Sequence, residues 1–150
     1  VISNMYEFSY IIICPLSYLL AGSSKFIINF VFHRLDPFKH LGLGGFPSTH
    51  TTIVSSVSWL MLITSGYRSE VFAISLACTF IVIIDAMDTR NKIGLTNQIL
   101  NLYLLKKSKT KLKEKIGHNI FEVIVGLCMG LISALATIKL DLLIMNIYDN

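Results

Sequence analysis

Four stretches of the chain are apolar for long enough to cross, or nearly cross, a lipid bilayer: residues 10–32, 49–65, 70–87 and 119–138. About twenty such residues span the ~30 Å hydrocarbon layer as a helix. No water reaches that layer, so each segment must satisfy its own backbone N–H and C=O groups. The fold expected is therefore all-α, an integral-membrane helical bundle with about four spans, forming one membrane-embedded domain over residues 1–150. Composition agrees, with 53% hydrophobic and 15% charged residues, where a soluble domain carries about 25% charge. No Lys or Arg precedes the first run, unlike the basic start of a cleavable leader.

Details within the runs add further expectations. Pro15 interrupts the first segment, which a membrane helix tolerates when neighbours re-satisfy the backbone. Lys25 either snorkels to the interface or faces a polar interior. Thr52, Ser55, Ser56 and Ser58 make the second segment suited to close helix contact. The third segment ends at Asp85 and Asp88, followed by a short polar connection through Arg90, Lys92 and Gly94. Leu95, Ile99 and Leu102 then recur at helical spacing, which predicts an interfacial amphipathic helix. The lysine-rich run 106–115 reads as a positive-inside anchor or a contact for anionic lipid head groups. Residues 140–147 are apolar but too short to span alone. Cys14, Cys78 and Cys128 have no metal-ligand spacing and read as free, buried thiols; no metal site is expected.

Two short constellations carry chemistry. Gly44-Gly45-Phe46-Pro47-Ser48-Thr49-His50 combines a backbone that can approach a ligand, a helix start after Pro47, capping hydroxyls and an imidazole in the first turn. Free N–H groups at such a helix start suit an anion, so the loop reads as a phosphate cradle with a proton donor. On the last segment Glu122 follows His118 by four residues, which puts carboxylate and imidazole on one face. Gly126 and Gly130 continue that face, so it can pack closely.

Phosphomonoester cleavage without a metal needs cations and N–H groups for the phosphate, a nucleophile, a carboxylate to orient it and an acid for the leaving oxygen. The chain offers a candidate for each. Charge bias places them on one side. Arg34, Lys39, Arg90, Lys92 and the lysines of 106–115 lie in the loops after the first and third segments, against Arg68 and Lys139 opposite. The first side is expected to be cytoplasmic, and it holds the Gly44–His50 loop, Asp85, Arg90 and His118, with Lys25 toward it.

The blocks Gly44–His50, Asp85-Ala86 with Arg90 and Gly94, Leu100-Asn101, and Lys113–Val123 with Gly126 and Gly130 resemble the divergent branch of the type 2 phosphatidic acid phosphatases. That branch is also described as acid phosphatase/vanadium-dependent haloperoxidase-related membrane proteins. The resemblance implies metal-independent, cofactor-free and vanadate-sensitive hydrolysis of a lipid-linked phosphate or diphosphate, of polyprenyl or phosphatidyl type, through a phosphohistidine. It implies His118 as nucleophile, Glu122 as its orienting carboxylate and His50 as acid. Gly45 and Ser48 would hold phosphate, Lys25 and Arg90 would clamp it, and Asp85 would orient Arg90 or Lys25. The broader family has Asp where Glu122 stands, and Ser-Arg near Lys111 and Lys113.

The implied partners are a lipid phosphate substrate and membrane lipids. Nucleic acid is not expected, since no aromatic interleaving accompanies the lysine run; homo-oligomerisation is left open. The competing reading is a non-catalytic lipid-binding or scaffold protein that keeps the architecture, with Asp88, Asn91 and Thr96 as the features in its favour.

Overall fold

The computed structural model describes residues 7–32, 46–104, 111–114 and 116–148. The described chain is an all-α membrane bundle. Helix α1 is Glu7–Phe32, α2 is Thr49–Ser65, α3 is Glu70–Ile84, α4 is Arg90–Leu104 and α5 is Ile120–Tyr148. A π turn, Asp85–Thr89, joins α3 to α4 without a break. Among the described residues three elements are long and apolar enough to cross a membrane: α1, the α3–α4 rod and α5. The expected fourth span, α2, has 17 residues and lies at the centre, packed on α1, α3 and α5; α1 also packs on α5.

The bundle is apolar outside and hydroxyl-rich inside. Ile11, Ile81 and Ile147 are 76%, 66% and 75% exposed, while Ser17, Ser56 and Ser133 are fully buried. Lipid tails are as apolar as leucine, so burying leucine gains little in a bilayer and small residues that let backbones approach gain more. Most of the buried hydroxyls are satisfied by the preceding turn of their own helix. Ser56 donates to the Ile53 carbonyl at 2.7 Å and Thr137 to the Ser133 carbonyl at 2.8 Å. Between α2 and α5, a Cβ on Gly130 would lie 2.9 Å from the Ser56 backbone nitrogen, closer than a side chain tolerates. A small apolar cluster of Ile13, Leu60 and Ala134 ties α1, α2 and α5 together.

Several expectations change. The cysteines are free but exposed on the outer faces of their helices, because in a bilayer the outer face is the apolar one. The polar connection at Arg90–Gly94 is helical, supported by the Asp88–Lys92 pair at 2.8 Å, an i, i+4 spacing that favours helix. The amphipathic helix thus exists as α4 but continues the third span. Leu95, Ile99 and Leu102 form its exposed face, and Gly94 and Asn101 its buried one. The stretch 140–147 continues α5. Asp141 there is buried and accepts from the Ser9 backbone N–H at 3.0 Å and its hydroxyl at 2.7 Å. It therefore caps the free N–H groups that the first turn of α1 would leave unsatisfied.

Candidate functional site

Ser48 caps α2. Its hydroxyl accepts from the Thr51 N–H at 3.5 Å and lies 2.9 Å from the Thr51 hydroxyl. This cap sets the entry of the chain and holds His50, half-exposed, in the first turn. The Ser48 side chain is fully buried, so it shapes the loop from within. Its backbone N–H donates to the Glu122 carbonyl at 3.1 Å, fixing the start of α2 against the start of α5. Gly45 lies outside the described residues.

Asn119 caps α5, its side chain accepting from the Glu122 N–H at 3.0 Å. One turn of helix then brings Glu122 back to His118. Their Oε2 and Nδ1 atoms are 2.5 Å apart, with the imidazole fully buried. A carboxylate only accepts, so Nδ1 carries the proton and Nε2 keeps its lone pair. Among the described residues Nε2 has no hydrogen-bond partner. A buried polar atom without a partner is costly and uncommon, and here it belongs to a ring held by a carboxylate on its far side.

The π turn completes the setting. The Arg90 N–H reaches back five residues, to the Asp85 carbonyl. An α-helical turn would pair it with Ala86. The Ala86 carbonyl instead accepts from the His118 N–H at 3.0 Å. The same turn presents Arg90 toward α2. Its Nε donates to Asp85 at 2.7 Å, and its Nη1 lies 3.5 Å from His50 Nδ1. Guanidinium only donates, so this contact makes Nδ1 of His50 the acceptor and leaves its proton on Nε2. The two imidazoles therefore carry opposite tautomers.

Lys25 resolves to the interior. It is buried, and its Nζ donates to the Thr49 hydroxyl at 3.0 Å. The charges of Arg90, Lys25 and Asp85 bear on the His50 ring, and those of Glu122 and Lys113 on Lys25. The described candidates Lys25, Ser48, His50, Asp85, Arg90, His118 and Glu122 are thus drawn from α1, the start of α2 and its cap, the π turn, the first residue of α4, and the start of α5 with the segment before it into one cluster. Asp88 is exposed and paired with Lys92, outside this cluster.

Sequence reasoning gave no role to the residues that hold the segment before His118. Residues 111–114 and 116–118 form a strap along α4. Asn101, 2% exposed, accepts from the Leu112 N–H at 2.8 Å and donates to the Leu112 carbonyl at 2.8 Å and to Glu114 at 2.9 Å. Asn97 donates to the Lys113 carbonyl at 2.7 Å. Gly94 leaves room for the Glu114 carbonyl, which a Cβ would displace. Asn91, Gly94, Asn97 and Asn101 recur at intervals that put them on one helix face, which is the signal that would have found them. Outside the spans, bonds from Asn101 and then Lys111 hold the Glu114 carboxyl below the usual carboxylate range.

No solved structure matches this chain. It is similar to the uncharacterized membrane protein YuiD of Bacillus subtilis (strain 168), at 29% identity over 78% of this chain and 85% of that protein. The Divergent PAP2 family matches residues 7–133. That range runs from the first turn of α1 to the middle of α5 and takes in every element that contributes to the His118 cluster. The chain belongs to the Divergent PAP2 family.

Proposed function

We propose that the protein hydrolyses a lipid-linked phosphate or diphosphate, without a metal, through a phosphohistidine on His118. The observation that carries this reading is the buried His118 ring, held at Nδ1 by Glu122 and with Nε2 unpartnered among the described residues, beside Lys25, His50 and Arg90. Family membership supports a phosphatase-like relationship.

The Nε2 lone pair attacks phosphorus, an N–P bond forms and the P–O bond to the leaving group breaks. Glu122 stabilises the ring as it takes on positive charge. Lys25 and Arg90 stabilise the charge spread over the phosphoryl oxygens. When Arg90 turns to the phosphate, His50 Nδ1 is free to take up a proton, and the resulting imidazolium protonates the leaving oxygen. His50, now neutral, accepts a proton from water as that water attacks phosphorus. The N–P bond breaks, and phosphate and free His118 are released.

The features that favoured a non-catalytic scaffold have structural work in α4 instead. Asp88 pairs with Lys92, the Thr96 hydroxyl donates to the Lys92 carbonyl at 3.0 Å, and Asn91 donates toward the His118 carbonyl at 3.5 Å. Purified protein should release phosphate from polyprenyl or phosphatidyl phosphates and be inhibited by vanadate. His118→Ala should lose at least about 1,000-fold in kcat, since nothing replaces the nucleophile. Full activity in His118→Ala would remove the assignment.

A further inference from the structure

One face of α2 is left incompletely covered, and it runs into the site. The residues of α2 buried in the bundle are Thr51, Thr52, Ser55, Ser56, Ser58 and Leu60. At 3.6 residues per turn they occupy one broad arc. The strip that remains carries His50, Ile53, Val57 and Met61, spaced i, i+3, i+7 and i+11; each is half-buried, Val57 and Met61 resting with one side on the Ile13–Leu60–Ala134 cluster and keeping the other uncovered among the described residues.

Two walls flank this strip. On one side stands α1, where Lys25 donates to Thr49 and Ile13 packs with Leu60. On the other stands α3, where the Ser58 and Thr79 hydroxyls lie 2.8 Å apart. The far side of α2 is covered by α5, with Trp59 donating to the Leu127 carbonyl at 3.2 Å. Both α1 and α3 pack on α2, with no comparable packing between α1 and α3 among the described residues. Among the described residues the strip is therefore the floor of a groove open to the bilayer. It extends about 16 Å from His50 to Met61, at 1.5 Å per residue. Its His50 end meets Lys25 from one wall and Arg90 from beyond the end of the other.

We propose that this groove seats the hydrocarbon chain of the substrate, and that Val57 and Met61 select which chains it accepts. The proposal rests on the phosphatase reading of His118. The occupant follows from the two ends: an apolar floor leads without interruption to a cluster of cations and imidazoles. A molecule with a long apolar tail and an anionic head matches both, with its scissile phosphate against His118. A soluble phosphate would use the polar end alone.

The test is substrate selectivity of the purified full chain in mixed micelles. Phosphate release is measured from a long-chain polyprenyl phosphate and from a short alkyl phosphate. Val57→Trp fills the floor and should lower the long-over-short ratio of kcat/KM at least about tenfold, the scale on which a hydrophobic pocket discriminates chain length. Ile74→Trp, on the 65% exposed outer face of α3, should leave that ratio as it is. If Val57→Trp does not fold, Met61→Ala widens the floor instead and should shift preference at least about threefold toward bulkier branched chains. An unchanged ratio in the folded variant overturns the proposal and leaves the groove to bulk lipid. His118→Ala separates the two levels: a dead variant with an unmoved Val57→Trp ratio removes the groove alone, whereas an active one removes the phosphatase reading itself.

Discussion

His50 and His118 are the same residue type with opposite demands placed on them, and their neighbours divide the roles. Glu122 accepts a hydrogen bond from the Nδ1–H of His118, whereas Arg90 donates one toward Nδ1 of His50. In the proposed mechanism, a nucleophile and an acid follow from one carboxylate and one guanidinium. This division predicts a leaving-group effect. His50→Ala should lower turnover of an alkyl or polyprenyl phosphate by about 100-fold or more, the usual worth of a positioned general acid. An aryl phosphate such as p-nitrophenyl phosphate, whose leaving oxygen needs no proton, should lose far less. Equal losses on both substrates would show that His50 does something other than protonate. The His118–Glu122 spacing was legible in the sequence because it is local, four residues on one helix. The Arg90–His50 contact spans forty positions and depends on how the π turn aims Arg90, which no local pattern encodes.

At the scale of elements, local chemistry sufficed where both ends of a helix carry their own signals. Ser48 and Gly66 bound α2, and the expected residues 49–65 are those observed. The π turn was invisible because Asp-Ala-Met-Asp-Thr contains no breaker. Its register is coupled to a distant partner, the His118 N–H on the Ala86 carbonyl. The strap was equally hidden, since Asn101 and Leu112 meet only after the chain has turned back.

That strap carries a pH dependence of defined sign. Glu114 is held below the usual carboxylate range by Asn101 and Lys111, whereas in an undocked strap it would titrate near ~4.3. A carboxyl with a lowered folded value stabilises the docked form above the undocked value and loses that contribution as pH falls through the folded one. The Leu112 amide resonance should therefore follow a titration with a midpoint below ~4.3, and Asn101→Ala should move that midpoint up. The same variant should lower kcat/KM by roughly 10- to 100-fold, the cost of loosening a reacting group by about an ångström.

The whole molecule inverts the soluble pattern, which is why composition gave the fold class readily but misplaced the cysteines. Sidedness is tested on a background lacking Cys14, Cys78 and Cys128. Lys92→Cys should react with an impermeant maleimide only from the cytoplasmic face, and Arg68→Cys only from the opposite one, as the positive-inside bias requires.

The unbroken rod of α3, π turn and α4 also acts as a depth gauge. Twenty residues separate Glu70 from Arg90, about 30 Å of helix, which equals the thickness of the oily layer. With Glu70 at one edge of that layer, the guanidinium would stand at the other edge, where head groups lie, with α4 beyond it. A thicker membrane would draw Arg90 below that boundary, and a thinner one would lift it clear. Turnover in vesicles of increasing acyl length should pass through a maximum near the matching thickness and fall on either side. Removing one turn from α3 should shift that maximum toward thinner vesicles.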